Sequence, residues 1–340
     1  MKPIPLLRVS AALSFAASLA DAGAPVEALW RKAGLPARAL FEPERLVPFV
    51  LALRFMEGAA AMLDEPDLGL RIAGRTGLVA AGRFGAAIRR APTLYAALET
   101  ACELVGTHNS AAQFWLVEDG MNVRFCRRFR DHGNVFRQAD LLTLGIMVKL
   151  VRSVAGAAWR PRRVEMQSAA PYDGGTHDIL SDADVEVGRP VTSIILPRAM
   201  LSRPLPALAR AHAASGVDSG APVPEQPNDF LSSLEVIIGG MLESGRSDVG
   251  TAARAAGWSM RTFQRRLAES HVSYSQILDR VRLRIATQLL EEGGVKVIEI
   301  ALLLGYSDPA HFTRAFRRWT SLTPLEYRQL HRAAAPRRPG

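Results

Sequence analysis

VGTAARAAGWSMRTFQRRL, Val249 to Leu267, and VIEIALLLGYSDPAHFTRAF, Val297 to Phe316, are two copies of one pattern. Each copy runs a short helical stretch into Gly-aromatic-Ser. Each then restarts with an apolar residue, a polar residue and an arginine: Phe263-Gln264-Arg265 and Phe312-Thr313-Arg314. The second copy has one more residue between its Ser and its Phe. Gly257 and Gly305 suit the left-handed conformation that ends a helix. Ser259 and Ser307 are placed to cap the helix that follows, accepting from its free N–H groups. Ala252, Ala253, Ala256 and Ala301 are small enough for two helices to approach closely. Phe263 with Leu267, and Phe312 with Phe316, lie four apart and face a core. The opposite faces stay polar and cationic. Both copies read as helix-turn-helix units.

Between them, YSQILDRVRLRIATQLL, Tyr274 to Leu290, carries an apolar stripe at Ile277, Leu278, Val281, Ile285, Leu289 and Leu290. A helix of this length spans roughly 26 Å. Such a spacer can hold two recognition helices about one DNA turn apart, roughly 34 Å. A plain helical bundle with solvated arginines is the competing reading. Two copies in the same basic register favour DNA.

Working outward, the stretch from Ala213 to Asn228 is dense in Ser, Gly and Pro and poor in apolar residues. It marks a linker between residues 1–212 and 229–340. The C-terminal segment contains no convincing strand. The N-terminal segment is expected to be α+β with helices in excess. Helical periodicity covers Val9–Ala22, Val26–Ala33, Pro43–Leu63, Thr93–Val105 and Phe136–Ala155. Alternating runs predict strands at Gln113–Val117, Met121–Phe125, Arg163–Gln167 and Ser193–Leu196.

The chain of 340 residues is long enough for two cores, and at 48% hydrophobic and 22% charged it is globular in composition. Its net charge of +9 suits a polyanionic partner. From Asp229 onward, sixteen basic residues stand against eleven acidic ones, so the C-terminal third is the more basic per residue. Two cysteines, Cys102 and Cys126, give neither a disulfide framework nor a metal cluster, and a reducing, cytoplasmic setting is expected. Lys2 and the stretch Leu6–Ala20 have some look of a secretory leader. Arg8, the interspersed serines and Asp21 favour an amphipathic helix ending at Gly23 instead. No stretch approaches the roughly 20 apolar residues of a membrane span.

The segment IALLLGYSDPAHFTRAFRRWTSLTPLEYR, Ile300 to Arg328, resembles the signature of the AraC/XylS family of bacterial transcription regulators. Ser321 stands where that family usually has Gly, a departure read as stiffening the turn. The N-terminal segment resembles the arabinose-binding-like effector domain of one AraC subgroup. Asp67-Leu68-Gly69-Leu70-Arg71, the Phe84-Gly85 step and the long Phe136–Ala155 helix carry that likeness. The resemblance implies promoter DNA, RNA polymerase, a small-molecule effector and a second copy of the chain as partners, with no cofactor. A constitutive regulator whose N-terminal domain only dimerises is the alternative.

In the first unit, Met260, Arg261, Gln264 and Arg265 are expected in the major groove, where Arg reads guanine and Gln reads adenine, with Ser259 counted among the DNA-binding residues. In the second, Asp308, Pro309, Ala310, His311, Thr313 and Arg314 are expected there. Pro309 and Ala310 offer only apolar contacts, so the first unit should discriminate bases more sharply. Arg266, Arg317 and Arg318 suit phosphates. His108, Asn109, Trp115, Arg124, Arg130, His132 and Tyr172 are the candidate effector contacts, with Arg124 and Arg130 favouring a carboxylate. No metalloprotease helix, phosphate loop or Gly-x-Ser-x-Gly elbow supports catalysis, and no metal-ligand or catalytic residue is assigned. Cys102 reads as core. Cys126 beside Arg127 and Arg128 is the one candidate for a lowered thiol pKa and a redox role.

Overall fold

The chain separates into two units: Pro5–Pro227, and Met1–Ile4 together with Asn228–Gly340. The computed structural model describes residues 1–130, 136–172, 178–206 and 224–334. Of the linker stretch, residues 213–223 lie outside the described residues, as does His132.

The first unit mixes helices and strands. A two-stranded antiparallel sheet pairs β1, Leu6–Arg8, with β2, Leu46–Pro48. Between and after them run α1, Ser10–Asp21, α2, Val26–Ala33, and α3, Phe49–Met62. Then follow α4, Leu68–Thr76, α5, Gly82–Arg89, and α6, Leu94–His108. A larger sheet has the order β3-β4-β7-β5-β6. Its strands are β3, Ala112–Asp119, β4, Asn122–Phe129, β5, Arg163–Glu165, β6, Asp184–Glu186, and β7, Thr192–Pro197. The long helix α7, Arg137–Ala155, precedes β5.

The single helix expected over Pro43–Leu63 is instead strand β2 followed by α3. Leu46, Val47 and Pro48 pair with Arg8, Leu7 and Leu6. A partner nearly forty residues away in sequence supplies hydrogen bonds that no local pattern reveals. Arg8, which breaks the apolar run, is buried, and each of its three guanidinium nitrogens donates a hydrogen bond. It donates to the carbonyls of Thr107 (2.8 Å), Glu44 (2.6 Å) and Pro224 (2.5 Å).

Helices α4 and α7 cross at two glycines. A Cβ on Gly69 would stand 2.4 Å from the carbonyl oxygen of Gln138, and one on Gly145 would stand 2.4 Å from the Cβ of Ala73. Neither distance is sterically possible, so the crossing requires glycine at both positions. Gly85 is as tight: its Cβ would collide with the carbonyl of Leu78. This is the physical content of the Leu68-Gly69-Leu70 and Phe84-Gly85 motifs.

The second unit is helical, with no strand among its described residues. Its helices are α8, Phe230–Glu243, α9, Val249–Ala255, α10, Met260–Glu269, α11, Tyr274–Glu292, α12, Val297–Leu303, α13, Pro309–Thr320, and α14, Pro324–Ala334. Side chains cap six of the starts, Asp308 and Thr323 among them. Asp229, Asp248, Ser259 and Ser273 each accept from the backbone N–H three residues on. The apolar face of α11 packs on α8 and α14, burying Ile277, Val281 and Leu290. Burying each of these side chains stabilises the unit by roughly 1.5–3 kcal/mol. Ile4 joins this unit through its backbone N–H, which donates to Ser233 Oγ at 2.8 Å.

Candidate nucleic-acid interface and internal cavity

Two helix pairs, α9–α10 and α12–α13, flank α11. Each first helix ends on a left-handed glycine, Gly257 at φ +74° and Gly305 at φ +80°. Ala252, Ala253, Ala256 and Ala301 are all buried. Phe263 and Leu267 hold α10 to the core, and Phe312 and Phe316 hold α13. At 1.5 Å per residue, the nineteen residues of α11 extend about 28 Å.

On α10, Arg261, Gln264 and Arg265 are exposed at i, i+3 and i+4, so they share one face. Met260 is exposed at the start of the same helix. Arg265 has a loose pair with Glu269, Nε to Oε1 3.7 Å, which water competes with effectively. Arg266 differs. It is half-buried, and its guanidinium lies 4.8 Å above the Trp258 ring. That stacking favours one direction for the side chain.

The second pair departs from the sequence reading at its cap. Ser307 was the expected N-cap of α13. Asp308 occupies that position, accepting from the N–H of Ala310 at 2.8 Å, with Pro309 as the first helical residue. The extra residue in this copy moves the cap one position along. The Asp308 carboxylate therefore serves the helix, and Thr313 is engaged as well, its hydroxyl donating to the carbonyl of Pro309 at 3.0 Å. Ala310, His311, Arg314 and Arg317 are exposed, and Pro309 is half-buried. Arg318 is exposed but tied: it donates to Asp279 Oδ2 at 3.1 Å, and the Trp319 indole N–H donates to the same oxygen at 3.3 Å. Asp279 on α11 gave no signal in the sequence, because its partners are about forty residues away.

Ser321 ends α13 at φ +65°. It places a side chain in a left-handed conformation that glycine adopts without strain.

The first unit encloses an apolar cavity of about 80 Å³, lined from α1, α3, α5, α6, α7, β3 and β4. Phe49, Phe84, Phe125, Phe129, Leu142 and Met147 form much of the wall. Three polar residues reach it: His108, Asn109 and Thr143. Asn109 Oδ1 accepts from the N–H of Ala111, and Thr143 Oγ1 donates to the carbonyl of Ala139. His108 is buried and stacked on Phe84, with centroids 5.1 Å apart and 12° between planes. Burial, with Arg8 nearby, pushes its pKa down to about 3, so the ring is neutral. Its Nδ1 has no hydrogen-bond partner.

Of the expected effector contacts, His108 and Asn109 line the cavity, and Trp115, Arg124, Arg130 and Tyr172 do not. Strand alternation explains two of them. Phe114 and Phe125 point to the cavity, so their neighbours Trp115 and Arg124 lie on the other face of the sheet. Arg124 pairs loosely with Glu165 at 3.5 Å, and exposed Arg130 donates to Gln113 Oε1 at 2.5 Å. No lining residue is charged. A carboxylate held by Arg124 and Arg130 at this cavity is therefore not what the geometry offers. Phe49, Phe84, Phe129 and Thr143 were missed, because each shows only the pattern of a core residue.

Cys126 is not an activated thiol. It is buried, and burial pushes its pKa up to about 11 despite Arg124. Arg127, expected to lower it, points to the opposite face and forms a fully buried ion pair with Asp140. Asp140 also accepts from Thr192 Oγ1 at 2.6 Å and the N–H of Ser168 at 2.7 Å. Burial pushes the Cys102 thiol up to about 11 too. Among the described residues, no cluster of three or more His, Cys, Asp or Glu is placed to hold a metal, and no helix is long and apolar enough to cross a membrane.

Two helix-turn-helix pairs around a spacer helix, behind an α+β domain, define a DNA-binding transcription regulator. Residues 23–205 match the arabinose-binding domain of AraC transcription regulators, and residues 252–330 match a helix-turn-helix domain. The chain belongs to the AraC family. It is 28% identical over 319 residues to the ornithine utilization regulator of Pseudomonas aeruginosa, covering 87% of this chain and 91% of that protein. It is 27% identical over 285 residues to the transcriptional regulator VirS of Mycobacterium tuberculosis, covering 81% and 82%. It is also 41% identical to the transcriptional regulator VqsM of Pseudomonas aeruginosa over 109 residues, 29% of this chain and 34% of that one.

Proposed function

We propose that the chain is a one-component, cytoplasmic regulator that binds promoter DNA sequence-specifically and acts on RNA polymerase as a homodimer. Residues 1–212 sense a small molecule, 213–228 link, and 229–340 bind DNA. An effector biases the DNA-binding unit only so far as it binds one state more tightly than the other.

The observation that carries DNA reading is the exposed Arg261, Gln264 and Arg265 face on α10, opposite buried Phe263 and Leu267. These three residues are assigned to base edges in the major groove. On α13, Ala310, His311 and Arg314 supply contacts weaker in discrimination, and Arg266, Arg317 and Arg318 contact phosphates. The test is a binding assay of Arg265→Ala on the operator and on random duplex. A loss of operator preference of roughly five- to a hundredfold is expected, matching about 1–3 kcal/mol per bidentate pair. An unchanged preference removes Arg265 from base reading.

A further inference from the structure

We propose that the apolar cavity of the first unit is a binding site for an uncharged, largely apolar small molecule that presents one hydrogen-bonding group to His108. The proposal rests on the effector-sensing reading and names the chemistry of that site.

Three observations converge. The wall is apolar and rich in aromatic rings, which suits an apolar or planar ligand. None of the lining residues is charged. Of the two buried arginines, Arg8 is committed to the carbonyls of Thr107, Glu44 and Pro224 and lies 3.6 Å from the Glu44 carboxylate, and Arg127, whose guanidinium lies 3.8 Å over the lining ring of Phe129, is neutralised by Asp140. An anionic ligand would therefore enter without a counter-charge, at a heavy desolvation penalty.

The third observation sets the polar end. Asn109 and Thr143 already have partners within the chain. His108 lies more than nine-tenths buried with Nδ1 unpartnered. Buried polar groups in folded proteins are nearly always satisfied, so an imidazole that lines an apolar cavity and has an unpartnered nitrogen points to a group that arrives with a ligand. The ring is neutral, held rigid by its stacking on Phe84, and offers hydrogen bonding without charge.

The test uses the full chain at pH 7 and three single-ring probes: phenol, benzene and benzoate. Titration calorimetry should show phenol binding at one site per chain, and benzoate at least tenfold more weakly. With 15N-labelled histidine, phenol should shift the His108 imidazole nitrogen resonances and benzene should not. His108→Leu should weaken phenol about tenfold and leave benzene unchanged. Equal affinity for benzoate, no saturable binding of phenol, or unmoved His108 resonances overturn the proposal. The resonances decide on the unmodified protein if His108→Leu does not fold. Operator binding separates this from effector control. If phenol binds at His108 but no metabolite alters operator affinity, the site stands and effector control falls. If a metabolite alters operator affinity without competing with phenol, effector control stands and the cavity assignment falls.

Discussion

Asp308 accepts a hydrogen bond from the backbone N–H of Ala310 at 2.8 Å, and so sets where α13 begins. Its carboxylate sits at the start of the helix assigned to the second DNA contact. Asp308→Ala should destabilise the C-terminal unit by about 1 kcal/mol. Ser307→Ala should change it by less than about 0.5 kcal/mol, as an exposed residue outside the cap. Urea unfolding of the two variants checks the cap assignment directly. Equal effects would return the cap to Ser307.

Arg318 is shared between Asp279 and solvent. Exposed pairs of this kind are worth at most about 1 kcal/mol, so the pair would only moderate the phosphate contact proposed for Arg318. Asp279→Asn should release Arg318 and tighten binding to any duplex by up to roughly fivefold. It should not alter the ratio between operator and random DNA. Fluorescence anisotropy across a salt series reads both quantities. In the same series, Arg317→Ala should lower the slope of log affinity against log salt by about 1.

Ser321 is held at φ +65°. For a residue with a Cβ, that conformation costs roughly 1–2 kcal/mol, while glycine loses roughly 0.5–1 kcal/mol of chain entropy there. Ser321→Gly should thus stabilise the C-terminal unit by about 0.5–1 kcal/mol. A higher melting temperature for that transition, with DNA binding unchanged, is the expected result.

His108 gives the first unit a pH dependence. Its folded pKa of about 3 lies below the unfolded value of 6.5, because burial favours the neutral ring. Below pH 6.5 the unfolded chain takes up a proton that the folded chain refuses. The contribution is therefore complete above pH 6.5 and is lost progressively as pH falls toward 3. At pH 5 the loss from this group should be about 2 kcal/mol relative to neutral pH. Burial raises the Glu57 pKa, which acts in the opposite direction. The comparison with His108→Gln isolates the imidazole: that variant should show a flatter fall in urea midpoint between pH 7 and 5.

The DNA-binding unit was legible because its signals are local. Gly257 and Gly305 ending helices, Ser259 capping α10, and Phe263–Leu267 and Phe312–Phe316 facing inward all follow from spacings of a few residues. The one misplaced element, the α13 cap, fell where the repeat is irregular. In the first unit, α1, α2, α6, α7 and four strands were readable from periodicity. Helices α4 and α5 were not. Glycines at 69, 74, 82 and 85 argue against helix by propensity, and these helices form because close crossing rewards the missing Cβ.

The sequence alone determined the doubled helix-turn-helix, its basic face and the family, because hydrogen bonding and capping within a few residues dictate those features. Only the tertiary structure decided that Asp279 holds Arg318, that Trp115 and Arg124 turn away from the cavity, and that His108 lies at it with an unsatisfied nitrogen. Those outcomes depend on which distant segments share a core. One residue of strand register, or one glycine at a helix crossing, reassigns a side chain from wall to surface, and neither leaves a local trace in the chain.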